Sequence, residues 1–525
     1  MSQSPVAVTI PRLPREFNAA VDLLAGELVR RGSKIAYVDR DAAWSYHDLA
    51  ARVDRCANML RALGIEPEQR ILLCLLDSVD FPTAFLGAIK AGIIPVPVNT
   101  LLRSDDYAFL LRDSRARALL VSAELLPAVT PIAGSSPWLR HLIVSGAPTS
   151  AGQLDFRRLL EQAPAQTRAA ETVADEACFW LYTSGSTGKP KAAVHAHSSM
   201  RLTAELYAKS VLQLSADEVI FSAAKLFFAY GLGNSLSFPL AVGASSVLLH
   251  ERPTPEAVSR ILRDQGPTVF FGVPTLYAAL LAHPGLPSRD EVRLRYCVSA
   301  GEALPAEIGR LWEQRFGCPI LDGIGSTEML HVYLSNRPGA VTYGSTGKPI
   351  PGYDIRLIDE DGADVAAGEI GELHVRGPTA ALGYWNQRDK SRATFRGDWL
   401  KTGDKYRCDA SGTYIYCGRN DDMLKVGGIY VSPFEVEAAI LSHEAVLEVA
   451  VIGQSDEHDL VKPKAIVVAK PGYNADSALA AALQQHVKTL LAPYKYPRWI
   501  EFVAEIPKTA TGKMQRFKLR ERNSA

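Results

Sequence analysis

Cysteine is scarce and never clustered. The seven among 525 residues (Cys56, Cys74, Cys178, Cys297, Cys318, Cys408, Cys417) are odd in number, widely spread and form no Cys-x-x-Cys pair. That excludes a disulfide framework and a structural zinc site, and predicts reduced thiols of a cytosolic protein. Long apolar runs are also missing: Lys90 or prolines interrupt every candidate well short of a bilayer span, and the opening residues show no basic-then-apolar leader. A soluble, cytoplasmic chain without a membrane partner is expected. Charge of one sign is not in excess either, with Lys plus Arg and Asp plus Glu both at 57. No global field therefore draws the chain to nucleic acid, and small molecules are the expected partners. The ordinary phosphate loop, Gly, four residues, then Gly-Lys-Ser/Thr, is absent, which disfavours kinase and GTPase readings.

What is present is a different phosphate-gripping run. Residues 182 to 191 read Tyr-Thr-Ser-Gly-Ser-Thr-Gly-Lys-Pro-Lys. Gly185 and Gly188 let backbone N–H groups turn toward an anion, while Thr183, Ser184, Ser186 and Thr187 add hydroxyls and Lys189 and Lys191 add charge. A polyphosphate such as that of ATP is the natural guest.

Length and a 47% apolar share predict at least two domains with sizeable cores. Phe17, Val21, Leu24 and Leu28 fall on one face of a first helix, with Gly32 placed to cap it. A buried strand at 71–76, a helix through Phe81, Phe85 and Ile89, and a strand at 93–98 predict a βαβ unit. The theme returns with strands at 269–271 and 295–299 and helices at 275–282 and from Pro305 to before Gly317. Residues 407–419 alternate like a hairpin around Ser411-Gly412, and Ser432 with Glu435 predicts a capping box. Strands at 446–452, 465–469 and 499–503 with a helix at 476–491 predict a compact α+β unit. The expectation is thus an α/β protein: a large N-terminal domain over 1–420, built of several α/β subdomains, and a small mobile α+β domain over 421–525.

Five further motifs follow in order: Ser299-Ala-Gly-Glu-Ala303, Gly323-Ile-Gly-Ser-Thr-Glu328, Trp399-Leu-Lys-Thr-Gly-Asp404, Gly418-Arg-Asn-Asp-Asp-Met-Leu-Lys425 and Pro507-Lys-Thr-Ala-Thr-Gly-Lys513. Their chemistry and order resemble the acyl-adenylate-forming superfamily of acyl-CoA ligases, peptide-synthetase adenylation domains and luciferases, over nearly the whole chain. The resemblance implies ATP, Mg2+ and coenzyme A as reactants or cofactors. It places Thr183 to Lys189, Gly301, Glu302, Ala303, Asp322, Gly323, Ile324, Gly325, Ser326, Thr327, Asp404 and Arg419 around ATP or AMP. Asp404 would accept hydrogen bonds from both ribose hydroxyls, and Glu328 would hold Mg2+ and act in catalysis. Lys513 would bridge the substrate carboxylate and the α-phosphate, offsetting the repulsion between two anions. Asp421 matches a hinge about which the small domain swings, and Gly427 and Gly428 would then line the coenzyme A tunnel. Acetylation of Lys513 by a lysine acetyltransferase would remove its charge, as the family suggests. One departure stands out: Ile324 occupies a position where many members carry Tyr or Phe, so adenine would lie on an aliphatic wall.

Phe17-Asn-Ala-Ala20, residues 88–102 and Lys225-Leu-Phe-Phe-Ala-Tyr-Gly-Leu-Gly-Asn234 look like benzoate-CoA ligases in particular. By that resemblance Phe228, Ala229, Tyr230, Gly325, His331 and Lys425 border an aryl pocket, with His331 and Lys425 as its polar ends. Benzoate or a close relative is the implied acid. A stand-alone adenylation enzyme loading a carrier-protein thiol, and a non-catalytic nucleotide-binding regulator, remain alternatives. The absence of a carrier domain weighs against the first, and the presence of Glu328, Asp404 and Lys513 against the second.

Overall fold

The computed structural model describes residues 10–147, 150, 152–183, 190–420, 422–426, 429–457, 460–508, 514–516 and 518–520. Ser184 to Lys189, Asp421, Gly427, Gly428 and Lys513, all singled out above, lie outside the described residues, as does the side chain of Lys425. The chain is a mixed α/β protein with a large N-terminal and a small C-terminal domain.

The predicted βαβ unit is present. Strand Arg70–Cys74, helix Asp80–Lys90 and strand Ile94–Pro97 pair in parallel, and strands Ala118–Ser122, His141–Ser145 and Gln153–Asp155 extend this sheet to five. Every residue of Ile94–Pro97 and Ala118–Ser122 is buried, which is why these strands read as unbroken apolar runs. A second, nine-stranded sheet has parallel strands Val219–Ser222, Val269–Gly272, Tyr296–Ser299 and Ile320–Gly325 at its centre. Helix Ala306–Phe316 ends on Gly317 at φ +67, the left-handed conformation expected of a glycine cap. Antiparallel strand Val332–Ser335 closes back on Ile320–Gly325.

The first helix, Ala19–Arg31, departs from its reading. Its buried face carries Ala19, Ala20, Leu23, Leu24 and Glu27, Val21 is exposed, and Phe17 packs from the preceding residues. Asn18 starts the helix; its Oδ1 accepts from the N–H groups of Ala20 and Val21, and its Nδ2 donates to Ile89 O at 3.0 Å. Two of the segments that resemble benzoate-CoA ligases therefore touch each other. Gly32 is right-handed, not a left-handed cap; a Cβ there would lie 2.0 Å from His47 Nε2, so the exposed His47 ring would have to move.

The hairpin around Ser411-Gly412 joins strands Trp399–Cys408 and Tyr414–Arg419. In the small domain, hairpin Leu424–Val426 and Ile429–Val431, helices Pro433–Leu441 and Ser477–Leu490, and strands Val446–Ser455, Val461–Ala469 and Trp499–Phe502 surround a separate core of Val431, Val436, Ile440, Val451, Val467 and Leu483. The capping box is half realised. Ser432 Oγ accepts from Glu435 N–H, but the Glu435 carboxylate goes to Lys495 at 2.6 and 2.7 Å. Among the described residues no helix is long and apolar enough to cross a membrane, and all seven cysteines are free.

Candidate active site

The site lies where the central strands of the nine-stranded sheet end. Strand Tyr296–Ser299 delivers the bend at Gly301, Glu302 and Ala303, and Gly301 has φ +94, so only glycine turns the backbone there without strain. Its neighbour Ile320–Gly325 carries Asp322 in register with Ser299. Asp322 is 6% exposed, and its Oδ1 is buried without a partner among the described residues. Burial pushes its carboxyl well above the usual carboxylate range, although the N–H groups of Leu304 and Gly323 oppose the shift. A buried orphan acceptor is costly unless a ligand supplies the donor, and the exocyclic amine of adenine is such a donor.

Beyond Gly325 the chain turns sharply. Ser326 Oγ accepts from Met329 N–H at 3.2 Å, making the short 3-10 turn Thr327–Met329 that presents Glu328. Glu328 Oε1 accepts from Tyr384 Oη at 2.6 Å, and Glu328 O accepts from Ala381 N–H at 2.7 Å. Lys191 rests over the Tyr384 ring, 4.1 Å from its centroid. Burial lowers the Lys191 pKa, while the nearby Glu328 carboxylate opposes that shift. Among the described residues no cluster of three His, Cys, Asp or Glu could hold a metal unaided. A single carboxylate beside a triphosphate site does fit Mg2+, which keeps water and phosphate oxygens as most of its ligands.

Asp404 sits not after a turn but inside strand Trp399–Cys408, with Gly403 at φ +78, where the register against strand Ile370–Arg376 shifts between Lys401 and Lys405. This bulge holds Asp404, 7% exposed, opposite its cross-strand partner Arg419, whose Nη1 is 3.3 Å from Asp404 Oδ1. Tyr333, whose buried hydroxyl has no partner among the described residues, lies close enough to Asp404, Glu328 and Arg419 to feel all three charges. Thr183 ends strand Ala177–Thr183 opposite Lys191, at the two edges of the glycine-rich run expected to grip phosphate.

The aryl residues form a second group. Gly325 packs so closely that a Cβ would lie 2.4 Å from His331 O. The His331 ring is 5.5 Å from Tyr230, 5.6 Å from Tyr207 and 4.5 Å from Phe238. Its Nε2 faces Tyr230 O at 3.3 Å and Asn234 Oδ1 at 3.2 Å, and burial pulls its pKa down to about 3. His331 is therefore neutral, with Nε2–H as a donor toward these two oxygens. Phe228 precedes the short helix Ala229–Leu232, and Tyr230 donates to Val298 O at 3.2 Å. Lys225 Nζ donates to Glu251 O at 2.7 Å, and Leu226 N–H donates to buried Asp77 at 3.3 Å, fixing the turn that carries Phe228 to Tyr230.

Sequence reasoning missed Tyr384 and Asp77, which no motif marks and whose partners stand 56 and 149 residues away. Asn234 closes a segment singled out above, but its contact with His331, 97 residues on, was not foreseen.

Comparison with known proteins agrees with this geometry. The AMP-binding enzyme family matches residues 26–385, and the AMP-binding enzyme C-terminal domain matches 435–513. A benzoate–CoA ligase of Thauera aromatica is 57% identical, with 99% of this chain and 98% of that protein covered. A 4-hydroxybenzoate–CoA/benzoate–CoA ligase of Rhodopseudomonas palustris is 51% identical over 97% of this chain and 94% of its own length. Among solved structures, a benzoate CoA ligase from Burkholderia xenovorans LB400 has TM-score 0.90 and 52% identity over 96% of this chain and all of that one. An anthranilate CoA ligase in complex with anthranoyl-AMP has TM-score 0.93 and 44% identity, covering 98% of each chain. The matched domains, the full-length relatives and the carboxylates gathered at the strand ends agree, and the chain belongs to the adenylate-forming AMP-binding enzymes.

Proposed function

We propose that the protein is a benzoate-CoA ligase, activating benzoate or a closely related aryl carboxylate with ATP and passing the acyl group to coenzyme A. The observation that carries this reading is full-length agreement with benzoate-CoA ligases, 57% identity over 99% of the chain. In the first half-reaction a carboxylate oxygen attacks the α-phosphorus of ATP, the bond to the β-phosphate breaks, and acyl-AMP and pyrophosphate result. In the second the coenzyme A sulfur attacks the acyl carbon, its proton passes to water, and the C–O bond to AMP breaks.

The residues divide the work by chemistry. Asp322 accepts from the adenine amine, with Gly301 to Ala303, Gly323 and Ile324 as the walls, and Asp404 and Arg419 orient the ribose and phosphate. Thr183 to Lys189 grip the triphosphate. Glu328 would hold Mg2+, which when bound neutralises phosphate charge. Tyr230, Gly325 and neutral His331 enclose the ring, while Lys425 supplies charge for the carboxylate. Lys513 joins the two repelling anions in the first step. It then has to withdraw, which is the reason for a small domain beginning at Asp421 that swings until Gly427 and Gly428 face the thiol. Acetylated Lys513 would lack the bridging charge, so mass spectrometry of the cellular protein finding acetyl-lysine there would identify an off-switch.

Purified protein given benzoate, ATP and coenzyme A should yield benzoyl-CoA, AMP and pyrophosphate in equal amounts. Absence of benzoate-dependent pyrophosphate release would end the reading. Release with transfer to a carrier protein but not to coenzyme A would move it to the carrier-loading class.

A further inference from the structure

Tyr384 belongs to none of the motifs that suggested the site, yet among the described residues it makes the shortest polar contact of Glu328, 2.6 Å. The ring is 6% exposed and packs edge-to-face on Phe395 at 5.4 Å. Its backbone is pinned twice: Tyr384 N–H donates to Ser391 Oγ at 2.9 Å, and strand Gly383–Tyr384 pairs with Lys191–Ala196, setting Tyr384 opposite Ala193. The adjoining segment also holds Glu328 from behind, since Ala381 N–H donates to Glu328 O. One short stretch, 381–384, therefore grips both the main chain and the carboxylate of the same residue.

The chemistry of that grip is specific. A carboxylate has two oxygens, and Tyr384 occupies Oε1. No partner stands on Oε2 among the described residues. A phenol, being neutral, orients the carboxylate without cancelling its charge, whereas a lysine or arginine in its place would compete with a dication. The Lys191 ammonium, 4.1 Å above the ring, draws electron density from the phenol and so strengthens that donor.

We propose that Tyr384 is a positioning residue for the metal site: it fixes Glu328 so that Oε2 alone is offered to the divalent cation of the bound metal-nucleotide. The inference rests on the reading of Glu328 as the metal-holding carboxylate, and the two are separable. Tyr384→Phe removes the hydroxyl and keeps the ring that Phe395 and Lys191 pack against, so folding is checked by an unchanged melting temperature. The informative readout is metal binding without turnover, measured by electron paramagnetic resonance of Mn2+ titrated into full-length protein holding ATP but no acid.

Tyr384→Phe should raise the half-saturating Mn2+ concentration about 10-fold or more, the loss expected of one hydrogen bond to a charged group. Glu328→Gln should raise it further, and adding Tyr384→Phe to Glu328→Gln should cost little more. Wild-type Mn2+ affinity in Tyr384→Phe, whether or not activity falls, would overturn the proposal and leave Tyr384 a packing residue. Independent, fully additive effects in the double variant would overturn it too. Wild-type Mn2+ affinity in Glu328→Gln would instead reject the reading of Glu328 itself.

Discussion

Ile324 shows how a single side chain can be legible in role and unusual in identity. It lies on strand Ile320–Gly325, paired with Leu334 and half-buried. An aliphatic wall supports a purine by dispersion alone, while an aromatic ring adds a stacking term of about 0.5–1.5 kcal/mol. Ile324→Tyr should therefore lower the KM for ATP by roughly 2- to 10-fold with the KM for benzoate unchanged, and initial-rate kinetics with each substrate varied decides it. Glu328, Asp404 and Arg419 are nominated by the short motifs that surround them. Tyr384 and Asp77 stand in none, and Asn234, though it closes a quoted segment, meets His331 through a contact made only after distant segments come together. His331 falls between: its place beside Gly325 was foreseen, but its neutrality follows from rings contributed by three other segments.

Elements were legible where burial is two-sided or a cap is local. Strands Val269–Gly272 and Tyr296–Ser299 and helix Pro274–Ala282 lie within a residue or two of their expected ends. The first helix was found but its face was misjudged, because the neighbours that bury Glu27 and leave Val21 in solvent are not encoded in local periodicity. Strand Trp399–Cys408 holds the more consequential difference. The Thr402-Gly403 pair reads as a turn, but it is a bulge in a ten-residue strand, and its positive φ turns Asp404 onto Arg419. A Cβ on Gly403 would be strained at φ +78 and 3.2 Å from Arg419 Nη2. Gly403→Ala should cost about 1–2 kcal/mol in this region, seen as a KM for ATP raised on the order of 10-fold in pyrophosphate exchange, with global melting little changed.

The whole molecule adds two consequences. On the proposed mechanism the adenylation and thioester steps demand opposite placements of Lys513. Lys513→Ala should therefore slow acyl-AMP formation by about 100-fold or more while thioester formation from supplied benzoyl-AMP falls far less; equal losses in both half-reactions would contradict a two-pose enzyme. The second consequence concerns acid. His195 and His197 are buried with pKa values pulled down to about 4, and His197 Nδ1 accepts from Ala19 N–H at 3.1 Å at the start of the first helix. Below pH 6.5 the unfolded chain takes up protons that these folded imidazoles refuse, so their contribution is complete above pH 6.5 and is lost as pH falls toward 4. At pH 5 the loss approaches about 2 kcal/mol for each ring. Buried Asp322 and Asp77, with raised pKa values, act in the opposite sense and soften the slope. Melting temperature should fall from pH 7.5 to pH 5, and His197→Asn should flatten that fall even if it lowers stability at pH 7.5.

Taken by itself, the amino-acid sequence determined the α/β layers, the order of the motifs and the identity of the charged groups, because periodicity, caps and short motifs are properties of neighbouring residues. The tertiary structure decided which oxygen of Glu328 is held, which way Asp404 faces and that His331 is uncharged. Those properties belong to contacts between residues far apart in the chain, where burial and a fraction of an ångström set both geometry and charge.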